Sequence, residues 1–530
     1  MLRSSERRVA TCYFLMVTAM FLVIMRITNI ALDPEFQVAA TENSVRTVTV
    51  SHQRGTIFDC NMKPITNSNK RYISFITDIP SAMVTLYKHL SEEETARIIQ
   101  EIRKGDIPMI TTDREISGNG IVSFSAAEHS QSIANHLIGY VDESGHGSNG
   151  LESVFDEILY SDKKSKISFC VDGHGRLIAG DSIKYEYDHS IERSGVMITV
   201  DTNIQMIAEK AANELVTGAV VVSEIATGEI KAIVSRPDFD LNNLSEAMKD
   251  ENSPFINRAM LTYNVGSGFK PCVAAAALEK GYDNYLWFCE GYSDIDGQIF
   301  RCHNIQGHKW LDLAGAIKHS CNAYFYSLAL DIGAESVYNM ALKAGFNNAV
   351  SFGYGFTTKK SQIGDKSKLS ISERALANLA IGQGELMVSP IGILTLYSAI
   401  GSDGSYRPLT LVKGMVEDGE LTDITEESEE IRLMSASTAK ELRRCLSGVL
   451  DENGTGYIAK PKTVSAAGKT STAETGIIKD GKSVTNTWFC GFFPLEAPKY
   501  AVAVLSENSQ TGCGNVFAQI ADEITALENS

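Results

Sequence analysis

Val265-Gly-Ser-Gly-Phe-Lys-Pro-Cys-Val-Ala-Ala-Ala-Ala-Leu-Glu-Lys-Gly281 decides how the rest of the chain is read. Its Ala-rich part is a strong helix former, Gly281 suits the C-terminal cap, and Pro271 is tolerated only in a first turn. Ser267 therefore sits at the start of an apolar, buried helix, with Lys270 three residues on and on the same face. Free N–H groups and the positive dipole end then face any oxyanion formed beside Ser267. Lys270, with its pKa lowered by burial, can take the serine proton as a neutral amine.

Ser-x-x-Lys also occurs at Ser161/Lys164 and Ser437/Lys440, so the tetrapeptide alone decides little. Ser437 reads as the cap of the helix leading to Leu446. Two further clusters carry polar chemistry. Ser320-Cys321-Asn322 lies between amphipathic stretches at 311–318 and 323–331. A hydroxyl and an amide two residues apart at a helix break can point into one cleft, or merely satisfy backbone groups. Lys469-Thr470-Ser471-Thr472 lies inside a strand-like run, 463–475. A cation and a hydroxyl on a sheet edge suit a carboxylate, and a strand N–H can complete an oxyanion hole. An ordinary polar strand face is the plain alternative.

Outward from these clusters, residues 196–200 read as a strand and 203–215 as an amphipathic helix. Runs 218–225 and 229–234 are β-rich and joined by Ala226-Thr227-Gly228, a hairpin signal. Helical segments fill much of 267–450. Strand-like runs at 463–475, 486–493 and 500–506 and a helix-like stretch at 515–527 close the chain. Strands at both ends of a helical middle predict one antiparallel sheet with helices packed on it. Residues 33–193 form a mixed region with polar punctuation (Asn67-Ser68-Asn69, Gly145 to Gly150) and a helix around 92–104. Its side chains suggest no chemistry.

The 530 residues predict two or three domains. With 44% hydrophobic and 21% charged residues a folded core is expected. A net charge of -17 argues against nucleic-acid binding, which needs a basic surface. Arg3, Arg7 and Arg8 precede an uncharged run at 9–25, the short end of a spanning helix, and Arg26 can snorkel to the far interface. The basic flank should stay in the cytoplasm and leave the rest outside. A cleaved signal peptide is the rival reading, though no small-x-small site follows the run closely. The ten cysteines are compatible with an oxidising exterior. Cys289 and Cys302 bracket a Gly-containing, hairpin-like stretch and are the best placed to form a disulfide. A zinc site using them with His303 and His308 lacks the usual paired spacing.

In order and spacing the three clusters together resemble the S-x-x-K, S-D-N and K-T-G trio of penicillin-binding proteins and class A β-lactamases. The chain resembles a class B penicillin-binding protein, a monofunctional peptidoglycan D,D-transpeptidase. Arg54-Gly55-Thr56-Ile57-Phe58-Asp59, Gly150-Leu151-Glu152, Thr227-Gly228-Glu229-Ile230, Gly382-Gln383-Gly384 and Trp488-Phe489-x-Gly491-Phe492 agree with that family. So does the Cys289…Cys302 stretch with Gly307-His308. The resemblance implies an α+β multidomain chain. Residues 1–32 would be a cytoplasmic tail and transmembrane anchor, and 33–194 an elongated α+β pedestal of the dimerisation type. Residues 195–530 would be a transpeptidase domain with a five-stranded antiparallel sheet flanked by helices.

The resemblance also implies roles. Ser267 attacks the penultimate D-Ala carbonyl of a stem peptide, with Lys270 as general base. Ser320 relays a proton towards the leaving amine, and Asn322 holds the substrate amide. Lys469 and Thr470 bind the terminal carboxylate, and the N–H groups of Ser267 and Thr472 form the oxyanion hole. β-Lactams would acylate the same serine. No metal or organic cofactor is implied. Without a glycosyltransferase domain before the pedestal, a SEDS-type polymerase is the expected membrane partner, and no C-terminal PASTA repeats are expected. Two positions depart from the family. Ser471 stands where Gly is usual, which should slow or re-tune acylation, and Val265 stands where Pro often does. Rival readings are a D,D-carboxypeptidase, a β-lactamase, a β-lactam sensor, and a non-catalytic scaffold of a division or sporulation complex.

Overall fold

The Ala-rich run is a helix, Lys270–Leu278, with Pro271 in its first turn and every residue buried. Small side chains let other helices approach closely, and Asn322–Ile332, Ala334–Lys343 and Ala436–Ser447 pack against it. Ser267 belongs to a 3-10 turn, Gly266–Phe269, just ahead of that helix. Gly266 makes the turn possible, because its φ of 57° lies in the left-handed region.

A computed structural model describes residues 4–35, 44–104, 108–172, 178, 183–426, 428–479, 481–509 and 512–530. Arg3 of the basic flank lies outside the described residues. The chain divides into two compact units. The first comprises Met1–Gln53, Asn69–Glu128 and Ser161–His189, and the second Arg54–Ser68, His129–Tyr160 and Ser190–Ser530.

Within the first unit, the helix Ser4–Leu32 runs past the apolar stretch read from the sequence. Its segment Glu6–Leu32 is, among the described residues, the one helix long and apolar enough to cross a membrane. Two three-stranded sheets follow in this unit. One orders Val45–Arg54, Tyr160–Cys170 and Lys184–Glu186; the other places Asn69–Ile76 between Met109–Thr112 and Ile121–Glu128. Alternation along these strands buries Ile73, Phe75, Ala126, Ile167 and Phe169 in one cluster. The helix expected near 92–104 is Glu92–Arg103, opened by a Ser91/Glu94 capping box.

The second unit is built on the expected five-stranded antiparallel sheet. Its order is Ile230–Arg236, Gly218–Glu224, Tyr500–Ser506, Lys482–Phe493, Ala467–Lys479. The interior strands Gly218–Glu224 and Tyr500–Ser506 are almost wholly buried, as a sheet covered on both faces requires. Thr202–Ala211 and Cys513–Glu528 pack against each other and against the sheet. Leu394–Gly401 packs on Tyr500–Ser506 and Lys482–Phe493. Ala467–Lys479 is an edge strand, and the turn Gly266–Phe269 lies against it. A second, four-stranded sheet orders Glu420–Thr422, Val412–Glu417, Gly195–Ile198 and Thr56–Phe58, the last pair parallel.

That parallel pair draws Arg54–Ser68 into the second unit, where a buried ion network fixes it. Arg54 Nε donates to Glu152 Oε2 (2.6 Å) and its Nη1 lies 2.8 Å from Asp156 Oδ1. His129 Nε2 is 2.9 Å from Glu152 Oε1. Burial alone would raise the Glu152 pKa, but His129 and then Arg54 hold it below the usual carboxylate range.

Two expectations are corrected. Ser435, not Ser437, caps the helix Ala436–Ser447, because its side chain accepts from the Thr438 N–H. Cys289 and Cys302 are both free thiols; they face a shared cluster with His308 and Cys321. The hairpin expected between them is present, as Tyr292–Ile295 paired with Gln298–Arg301.

Candidate active site

The three clusters meet at one cleft of ≈ 940 Å³, whose lining includes Ser267, Ser320, Asn322, Thr470, Ser471 and Thr472. The other two Ser-x-x-Lys matches do not reach it: Ser161 lies in the strand Tyr160–Cys170 and Ser437 in the helix Ala436–Ser447.

Ser320 bridges Ser267 and Lys270. Its Oγ donates to Ser267 Oγ (3.1 Å) and accepts from Lys270 Nζ (3.2 Å). Lys270 Nζ also donates to Ser320 O (2.7 Å) and Asn322 Oδ1 (2.7 Å). Ser320 holds this position with a φ of 52°, a region uncommon for a residue other than Gly and frequent at functional sites. Cys321 N–H donates to Ala316 O, and Asn322 opens the next helix, so the motif is a tight link between two helices.

Lys270 is 0% exposed. Burial pushes its ammonium down to about 7, against an opposing pull from Cys321 and Cys302. Lys469 is also 0% exposed, and burial followed by the charge of Lys270 drives its ammonium well below the usual range. A bound anion would offset that penalty, so two buried amines hydrogen-bonded to the cleft-lining Ser320, Asn322 and Thr470 favour a carboxylate or an oxyanion there. Lys469 Nζ donates to Thr470 O (3.1 Å), and Thr470 Oγ1 donates to Thr455 Oγ1 (3.1 Å).

Ser471 is 5% exposed, and its hydroxyl donates to Val265 O at 2.5 Å. The extra hydroxymethyl therefore ties the edge strand to the turn that carries Ser267. Strand and turn are already in contact: a Cβ added at Gly266 would lie 2.5 Å from Ser471 Oγ and 2.9 Å from Thr472 O.

Several supports of the turn were missed as site residues. Gly266 N–H donates to Gly382 O (2.9 Å), and a Cβ at Gly382 would lie 2.0 Å from Gly266 O. Tyr397 Oη donates to Gly268 O (3.1 Å) and Trp488 Nε1 to Asn264 O (3.1 Å). Gly382 and Trp488 lie in stretches already singled out by resemblance, whereas Tyr397 sits in an apolar helix that reads only as core. Among the described residues, Cys289, Cys302, His308 and Cys321 form a group that could hold a metal.

Residues 218–526 match the penicillin binding protein transpeptidase domain, more than half of the chain. This chain belongs to the penicillin-binding protein transpeptidase family. Penicillin-binding protein 3 of Bacillus subtilis is 30% identical over 401 residues, covering 71% of this chain and 56% of that protein. Stage V sporulation protein D of the same organism is 26% identical over 449 residues, covering 80% of this chain and 67% of that one. The chain thus spans 56% of the length of the first of these penicillin-binding relatives. A crystal structure of penicillin-binding protein 3 from Mycobacterium tuberculosis, complexed with aztreonam, superposes with a TM-score of 0.66 at 22% identity. It covers 92% of this chain and 97% of that one, so the two share the penicillin-binding fold.

Proposed function

We propose that the protein is a serine D,D-transpeptidase that cross-links peptidoglycan stem peptides and is acylated by β-lactams. The observation that carries this reading is the chain Ser267 Oγ–Ser320 Oγ–Lys270 Nζ, ending on an amine pushed down to about 7. Ser267 attacks the penultimate D-Ala carbonyl, and its proton passes through Ser320 to Lys270. The oxyanion is held by the N–H groups of Ser267 and Thr472; such a donor is typically worth about 10²–10³ in rate. The proton returns through Ser320 to the departing D-Ala amine. Lys469 and Thr470 bind the terminal carboxylate, and Asn322 orients the substrate amide while its Oδ1 accepts from Lys270. An amine of a second stem peptide then resolves the acyl-enzyme.

The stretch 1–32 serves as a single-pass anchor with its N-terminus in the cytoplasm, and 195–530 as the extracytoplasmic catalytic part. The exposed apolar helix with Arg7 and Arg8 at its start supports that orientation. The region 33–194 acts as the pedestal, and a SEDS-type glycosyltransferase supplies the glycan strands. The assay is release of D-Ala from a pentapeptide donor by detergent-solubilised protein, with and without an acceptor amine. Formation of a new peptide bond to the acceptor supports transpeptidation. D-Ala release with free acid as the only second product would assign a carboxypeptidase instead.

A further inference from the structure

Burial alternates along the edge strand Ala467–Lys479, with Lys469, Ser471 and Ala473 buried and Thr472 and Glu474 exposed. The period of two puts Thr470, Thr472 and Glu474 on one side of the strand, and all three line the active-site cleft. Pairing with Lys482–Phe493 is regular from Ala467 through Glu474, which faces Thr485, and becomes irregular only beyond it. Glu474 is therefore held at a defined level of the cleft, two register positions past the Thr472 N–H.

Among the described residues that line this cleft, Glu474 is the one acidic side chain. No hydrogen bond or ion pair with a described residue engages its carboxylate, and the guanidinium of Arg301, the one Arg or Lys in the lining, is likewise unpaired. Thr487 and Thr485, the cross-strand partners of Thr472 and Glu474, line the same strip. The strip beside the carboxylate thus offers hydroxyls and no cation. A charge on an edge strand also guards it against pairing with another chain, the plainer role for this residue.

The proposed donor orientation brings one group of the substrate to this level. With its terminal carboxylate at Lys469 and Thr470 and its penultimate carbonyl at the Thr472 N–H, the stem peptide runs along the strand. The residue before D-Ala-D-Ala then lies beyond Thr472. From that carbonyl carbon to the preceding Cα is roughly 5 Å in an extended chain, and Glu474 lies about 6.8 Å past Thr472. A long side chain on that residue reaches the Glu474 carboxylate. The strand carries its cation at the carboxylate end of the donor and its anion about 17 Å further on, opposite charges set for opposite ends of the peptide.

We infer that Glu474 is a specificity residue for the donor: its carboxylate receives an ammonium carried by the side chain of the residue immediately before D-Ala-D-Ala. The substrate class is a stem peptide with a diamino acid at that position and its distal amine free. The inference rests on the transpeptidase reading of the same cleft. Glu474 accepts hydrogen bonds from the ammonium and takes no part in the bond changes at Ser267. Acylating the distal amine removes its charge and two of its three N–H donors, which leaves the carboxylate without an ionic partner in the complex.

The test measures D-Ala release by the full detergent-solubilised chain from Nα-acetyl-Lys-D-Ala-D-Ala, its Nε-acetyl form and its Nε-succinyl form. On the wild type, kcat/KM for the free amine should exceed that for the Nε-acetyl peptide about tenfold or more, the low end for a hydrogen bond to a charged group. Glu474→Gln should bring this ratio to within about threefold of one. Glu474→Lys should turn the preference to the Nε-succinyl peptide, whose distal group is an anion. Covalent labelling by benzylpenicillin checks that each variant has folded. Ratios among the three peptides that stay unmoved in both variants fit edge guarding and would overturn the inference. So would equal wild-type rates on free and acetylated amines, or no release from any peptide by a chain that benzylpenicillin still acylates. A chain that takes up no benzylpenicillin and releases no D-Ala would sink the transpeptidase reading, and this inference with it.

Discussion

With Lys270 as the proposed general base, acylation should switch on with a midpoint near pH 7. The Lys270 amine is fully buried and pushed from 10.5 down to about 7. At pH 7 an ordinary lysine would be neutral about 3 × 10⁻⁴ of the time, and this one about half the time, roughly a thousandfold gain in competent enzyme. The sign follows from the charge: below the midpoint Lys270 is protonated and cannot accept the Ser267 proton through Ser320. The rate should therefore fall about tenfold per pH unit below 7 and level off above it. The assay is stopped-flow acylation by a chromogenic or fluorescent penicillin from pH 5 to 9. Saturating reagent separates the chemical step from carboxylate binding, the role proposed for Lys469. Lys270→Arg, which stays charged, should lose about 10³ in rate. A flat profile down to pH 5, or a limb centred above pH 9, would refute Lys270 as the base.

Ser471→Ala removes only the hydroxyl that Val265 accepts from; one hydrogen bond nets about 0.5–1.5 kcal/mol, so acylation should slow roughly two- to tenfold by the same assay. Faster acylation would mean that the hydroxymethyl obstructs the cleft. Gly382→Ala places a Cβ against Gly266 O at a position with φ of 72°, and should abolish penicillin labelling; a labelled, fully active variant would show that the turn is not clamped there. Glu152→Ala leaves the buried Arg54 with Asp156 as its remaining ion partner, so the loss should fall below the roughly 3–5 kcal/mol of a fully broken buried pair, read as a lower thermal unfolding midpoint. An unshifted midpoint would remove that network from the fold's essential supports.

The catalytic unit was legible because its signals are local. The helix after Ser267 declares itself by Ala, Pro271 and Gly281, and the sheet by β-rich runs between turn residues. The order of the three motifs did the rest. What was not legible depends on distant pairing. Thr56–Phe58 joins Gly195–Ile198 as a parallel neighbour, and nothing in either segment announces the other. The cysteine and histidine cluster is spread over residues 289–321 on four elements, so no ligand spacing was visible and the disulfide looked the better reading. Ser435 and Ser437 compete for one helix start in nearly identical contexts, and only the Thr438 N–H geometry separates them. The tie from Ser471 to Val265 needed the edge strand and the turn to be seen in contact; from the sequence, Ser471 was only a departure from Gly.

The most direct measurement is intact-mass analysis of the detergent-solubilised chain after exposure to benzylpenicillin, with Ser267→Ala beside it. A single adduct of one penicillin per chain should form on the wild type, map to the peptide carrying Ser267, and be absent from the variant. A well-folded wild type that takes up no penicillin, or an adduct that persists in Ser267→Ala, would contradict Ser267 as the acylated nucleophile.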